Sequence, residues 1–182
     1  MDLARWFEGQ LRTSADGFAW SVEQVANERR YAQPPGPPGG LLGEWSVARH
    51  AFHLLYYEQY AALPILQHWP QQPFLSFAGY RDQEASAWAA APALETIVEE
   101  FRARRAEHNA LLLHVSEAAW EEAPATAWGH ETLRWIVTKT YQHTLEHTNN
   151  ILQIALFWDR VALRNHRTEE QKQQGATTPS SS

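Results

Sequence analysis

The stretch Tyr141-Gln142-His143-Thr144-Leu145-Glu146-His147 lies inside a long periodic segment near the C-terminus. Leu133, Ile136, Val137, Thr140, Leu145, Ile151, Ile154, Ala155 and Trp158 recur at steps of three and four. That period predicts a helix from Glu131 or Thr132 to about Leu163. On such a helix His143 and His147 stand one turn apart on one face. Two imidazoles so placed can share one metal ion, as the histidines of H-E-x-x-H do. With nine histidines in 182 residues, about one chain in two of this composition carries such a pair by chance. Spacing alone therefore leaves two readings open, a pair of core histidines or a pair of ligands.

Working outward, three further helices precede this one. Leu3, Trp6, Phe7, Leu11, Phe18, Val22 and Val25 mark an amphipathic first helix, with Asp16-Gly17 a weak point in its middle. It stops before the run Pro34-Pro35-Gly36-Pro37-Pro38-Gly39-Gly40, a surface connection and not a domain boundary. A second helix is expected from about Ser46, its N-cap, to about His68, with Pro64 at a kink or in the last turns. The stretch from Trp69 to Gln83 carries Pro70, Pro73 and Gly79 among Phe74, Phe77 and Tyr80, and reads as an aromatic loop serving as lid or pocket wall. A third helix starts near Pro92, with Leu94, Ile97, Val98, Phe101, Leu111, Leu112 and Val115 as its stripe. A short turn around Ser116–Glu121 follows, and Trp128-Gly129-His130 leads into the last helix. No segment alternates with period two. The expectation is an all-α four-helix bundle over residues 1–164 and a disordered polar tail over 165–182.

Composition narrows the function. Hydrophobic residues make up 44% and there are nine tryptophans, enough for one core and for aromatic pocket walls. A net charge of −6 without a basic stripe argues against nucleic acid. Arg102, Arg104 and Arg105, flanked by Glu99, Glu100 and Glu107, read as a solvated helix face. No apolar run approaches the ~18 residues of a membrane span, and the cytoplasm is the expected compartment. There is no cysteine, so any thiol used in chemistry must come from outside the chain.

A third histidine, His53, lies on the second helix, and two helices of a bundle can bring three imidazoles to one metal. Three protein nitrogens leave a coordination position open, the pattern of catalytic sites. His50, three residues earlier, can replace His53, join it, or stand behind the ligands. His130 is about 20 Å from His143 along a straight helix, too far to serve the same ion. His68, His108, His114 and His166 have no partner at ligand spacing and read as surface or loop histidines.

Two runs then carry a resemblance. Gly43-Glu44-Trp45-Ser46 followed by His53-Leu54 and Glu58, and Gly129 followed by Thr132-Leu133-Arg134-Trp135-Ile136, His143, His147 and Ile151, resemble the second-helix and last-helix signatures of the DinB/YfiT-like metalloenzymes. The resemblance covers about residues 1–163 and departs from the family at Asn150, where glutamine is common. It implies an up-down-down-up bundle, a homodimer, and a divalent metal held by His53, His143 and His147, without distinguishing zinc, nickel, manganese or iron. It also implies thiol-dependent S-transfer or isomerisation with a low-molecular-weight thiol and a small-molecule substrate. A non-catalytic metal- or ligand-binding dimeric bundle is the alternative.

Two other motif readings compete. His143-x-x-Glu146-His147 fits the inverted zincin pattern, but the downstream glutamates are only Glu169 and Glu170 in the polar tail. A di-iron bundle needs Glu-x-x-His pairs, and no histidine here has a glutamate three residues before it. Catalytic candidates around the ligands are Glu146, about 60° from His143 and placed to act as base or orient His147; Lys139, one turn before His143, placed to hold a carboxylate; and Tyr57, one turn after His53, as pocket wall. Glu58, about 140° from His53, reads as an ion-pair partner.

Overall fold

The computed structural model describes residues 2–71, 77–126 and 128–176. Helix α1 (Leu3–Glu23) starts at Asp2, whose side chain accepts the Arg5 amide, and buries Phe7, Leu11, Phe18 and Val22. Asp16-Gly17 does not interrupt it. A mid-helix glycine costs only ~1 kcal/mol, and the buried Leu11 and Phe18 on either side hold the helix together.

Helix α2 (Val47–Tyr57) is capped by Ser46, which accepts the Arg49 amide. It passes through a π turn (Glu58–Ala62) into α3 (Leu63–His68). Pro64 has no N–H for the usual bond to residue 60, and the widened turn, in which the Leu63 amide reaches back to the Glu58 carbonyl, lets the chain run on without a break. Helix α4 (Phe77–Trp88) corrects the expected loop: its first residues fall within the stretch read as irregular. Pro73 and Phe74 of that stretch lie outside the described residues. Helix α5 spans Leu94–Leu112, and the 3-10 turn Ala118–Trp120 lies where a short turn was expected. A two-residue hairpin, β1 (Ala125–Thr126) with β2 (Gly129–His130), precedes α6 (Leu133–Ala176). Its strands are too short for period two to register in a sequence.

Helix α6 continues thirteen residues past Leu163, the expected end. The polar continuation is rich in Arg, Glu, Gln and Lys, all good helix formers, so polarity there does not mean loss of helix. Residues 177–182 of the expected tail lie outside the described residues. Leu145, read as part of the apolar stripe, is exposed.

Two core clusters fix the topology. One gathers Ala4, Phe7 and Leu11 of α1 with Leu66 of α3, Leu112 of α5 and Leu133 and Val137 of α6. The other gathers Phe18 and Val22 with Val47, Ala51 and Leu54, Leu94, Ile97 and Phe101, and Ile151 and Ile154. The starts of α1 and α6 thus share one end of the bundle with the ends of α3 and α5. The bundle is up-down-down-up, and each of α1 and α2 packs on both α5 and α6. Two successive down helices require a long return, and α4 lies within it. Among the described residues no helix is long and apolar enough to cross a membrane.

Candidate metal centre

Gly43 adopts φ +66°, a conformation glycine takes without strain, one step before Glu44-Trp45-Ser46. Ser46 caps α2 while Trp45 stacks on the His147 ring at 5.9 Å and lies against His50 and His53 at 5.4 and 5.1 Å. The run thus starts the helix that carries His53 and roofs the imidazoles with an indole.

Helices α2 and α6 meet at His53, His143 and His147. Nε2 of His143 lies 3.0 Å from Nε2 of His53 and 3.1 Å from Nε2 of His147. The three ligand atoms all fall within 4.8 Å of one another, a cluster compatible with one divalent ion. A tetrahedral ion with bonds of about 2.0–2.1 Å to imidazole sets its nitrogens about 3.3–3.4 Å apart. An outward shift of a few tenths of an ångström accommodates it.

The chemistry of the donors fits as well. Burial, reinforced by neighbouring His53 and other positive groups, lowers the pKa of His143 to about 3. Burial, with His143, His53 and His50 beside it, lowers that of His147 to about 2. Both are neutral at pH 7, and a neutral imidazole offers the lone pair a metal needs. Burial also takes His50 down to about 4.

Each imidazole is backed differently. His53 Nδ1 lies 2.9 Å from Glu84 Oε1, and the Arg49 guanidinium reaches the same oxygen at 2.8 Å. His147 Nδ1 lies 2.8 Å from Nδ1 of His50. Nδ1 of His143 is buried without a hydrogen-bond partner among the described residues, and the Tyr57 ring packs edge-on against the His143 ring, centroids 4.5 Å apart. His50 therefore stands behind the three-histidine cluster, outside it. Glu84 was missed in the sequence because α4 was read as loop up to Gln83; its one-turn spacing from Tyr80, also buried, was the available signal.

The other candidates separate. Tyr57 is buried, its hydroxyl 3.1 Å from the Thr140 hydroxyl, and burial pushes its pKa up to about 12. Lys139 is half-buried and donates to Gln142 Oε1 at 2.6 Å, and its charge contributes to the lowering at His143. Glu146 is exposed and accepts from Gln142, with no contact to His147, so the proteolytic reading loses its base. His130 is exposed on the hairpin, and His68, His114 and His166 are exposed.

His108 corrects the surface reading. It is buried, with Nδ1 2.7 Å from Glu58 Oε1, while Arg105 donates to Glu58 Oε2 at 2.9 Å and to the Thr144 hydroxyl at 3.1 Å. Arg105 is thus no part of a solvated face, and Glu58 is the ion-pair partner expected of it. This network lies beside the centre through the chain neighbours Tyr57-Glu58 and His143-Thr144.

The sequence profile of the DinB superfamily matches residues 10–151. Neither the curated proteins nor the solved structures yield a match. The profile spans most of the chain, including α2 and the first part of α6, where the three imidazoles lie, so this chain belongs to the DinB superfamily.

Proposed function

We propose that the chain is a metal-dependent enzyme whose divalent ion is held by His53, His143 and His147, and that it adds a low-molecular-weight thiol to a small electrophile or carries out a related isomerisation or hydrolysis. The observation that carries this reading is the convergence of three Nε2 atoms with two neutral imidazoles among them. When bound, such an ion acidifies a water or thiol that reaches its open position.

The chain's own residues then bind and shape. His53 and His143 are only partly buried, which leaves that side of the centre reachable. Trp45 and Tyr57 wall it, and Lys139 supplies a cation for a carboxylate of the incoming molecule. Glu146 faces solvent and Tyr57 holds its proton at neutral pH, so neither serves the centre as its base. That favours a nucleophile acidified by the ion over one activated by a side chain, and with no cysteine in the chain a thiol nucleophile comes with the substrate pair. We also propose a homodimer, supported by exposed Leu145, Leu156 and Leu163, which share one face of α6.

Elemental analysis of untagged protein tests the centre. The expected result is about one divalent ion per chain, lost in His53→Ala, His143→Ala and His147→Ala and kept in His130→Ala. Stoichiometric metal in His143→Ala sinks the assignment. A wild-type chain that takes up none of zinc, nickel, manganese or iron leaves the non-catalytic bundle as the reading.

A further inference from the structure

Among the described residues, His53 is the only one of the three imidazoles backed by a carboxylate. Glu84 is 4% exposed, and its Oε1 faces both His53 Nδ1 and the Arg49 guanidinium. Arg49 is itself fixed among three rings, with its guanidinium carbon 5.0 Å from Trp45, 5.6 Å from Phe52 and 5.3 Å from Trp88. Trp88 lies on the same helix as Glu84, so α4 and α2 clasp this pair from both sides.

An ionised carboxylate can only accept a hydrogen bond. The imidazole nitrogen facing it must therefore carry a proton, and in the neutral ring, the form that can hold a metal, the opposite nitrogen is bare. At His53 the opposite nitrogen is Nε2, 3.0 Å from His143 Nε2. Neither of the other two imidazoles has its form dictated this way, because His147 Nδ1 meets a second imidazole and His143 Nδ1 has no hydrogen-bond partner among the described residues.

We propose that Glu84, anchored by Arg49, is the positioning residue of the centre: it fixes His53 with its proton on Nδ1 and its lone pair on Nε2 aimed at His143 and His147, and so sets the affinity for a divalent ion. The affinity part rests on the metal reading above, whereas the proton position belongs to the protein alone. Carboxylates placed behind a ligating histidine orient the ring and strengthen it as a donor, and their loss costs about 10- to 100-fold in metal affinity.

A merely structural role competes with this one. Glu84→Gln leaves Arg49 without its counter-charge, and an unpaired buried charge destabilises a fold by itself. The double variant Glu84→Gln/Arg49→Met removes both charges and separates the two roles. The experiment uses nitrogen-15 NMR of the histidine rings in the metal-free full chain, and zinc affinity by competition with a chromophoric chelator.

In the wild type, His53 is expected with its proton on Nδ1. Glu84→Gln and the double variant both lose the charge that dictates that form and are expected to bind zinc about 10- to 100-fold more weakly, while circular dichroism shows both folded. A metal-free wild type with the proton on Nε2 of His53 overturns the proposal. So does a double variant that regains wild-type zinc affinity, since removal of the charge imbalance would then be the whole effect. A wild-type chain showing the expected proton position but taking up no zinc, nickel, manganese or iron defeats the metal reading and the affinity claim with it.

Discussion

Glu58 has neither carboxylate oxygen free: His108 takes Oε1 and Arg105 takes Oε2, and the side chain is fully buried. Burial alone would raise its pKa, but Arg105 and His108 outweigh burial and hold it near 2, against an ordinary 4.5. A carboxyl whose pKa is lower in the folded chain stabilises the fold above its unfolded value, and that stability fades as pH falls. The metal-free protein should therefore lose stability from about pH 4.5 toward pH 2. Glu58→Gln should be about 3–5 kcal/mol less stable at pH 7, because it leaves Arg105 buried and unpaired, and its urea midpoint should vary less with pH through that window. A variant as stable as the wild type at pH 7 would refute this account. The sequence showed Glu58 as half of an ion pair but not the other half. Arg105 and His108 continue the spacing of Leu94, Ile97 and Phe101, and so point inward; reading the arginines as a cluster by adjacency hid that phase.

Helix boundaries were legible where a side chain closes them. Ser46 was read as the cap of α2, and its hydroxyl accepts the Arg49 amide. Ser46→Ala should cost about 1 kcal/mol, seen as a lower thermal midpoint in the metal-free chain; Ser46→Asp, which also accepts, should restore it. An unchanged midpoint in Ser46→Ala would show that α2 is held by packing alone. Helix α4 was not legible, because glycine and prolines in and before its first turns mask a helical period. What docks it is a polar contact, Glu84 with Arg49 and His53, together with the buried Tyr80 and the Trp88 ring on Phe52. The π turn was equally hidden, although Pro64 marked the place where the regular ladder could not continue.

At the scale of the molecule, periodicity was enough for a helical bundle, while the order of its helices came through the resemblance and not through physics visible in one chain. What periodicity cannot show is which faces remain uncovered. Leu156 is 72% and Leu163 62% exposed on α6, and Trp20 is 54% exposed on α1, which packs beside it. If these faces meet a second copy, sedimentation should give twice the chain mass, and Leu156→Glu should give a folded monomer. A wild type that sediments as a monomer at every accessible concentration would remove the dimer. One consequence follows from the division of the three imidazoles between α2 and α6. During synthesis His53 and Glu84 leave the ribosome well before His143 and His147 have been joined to the chain. A nascent protein therefore holds only one of the three imidazoles, and the full cluster comes into being with the last helix. If the proposed ion binds there, its loading awaits the last helix, and occupancy would report that this helix has docked.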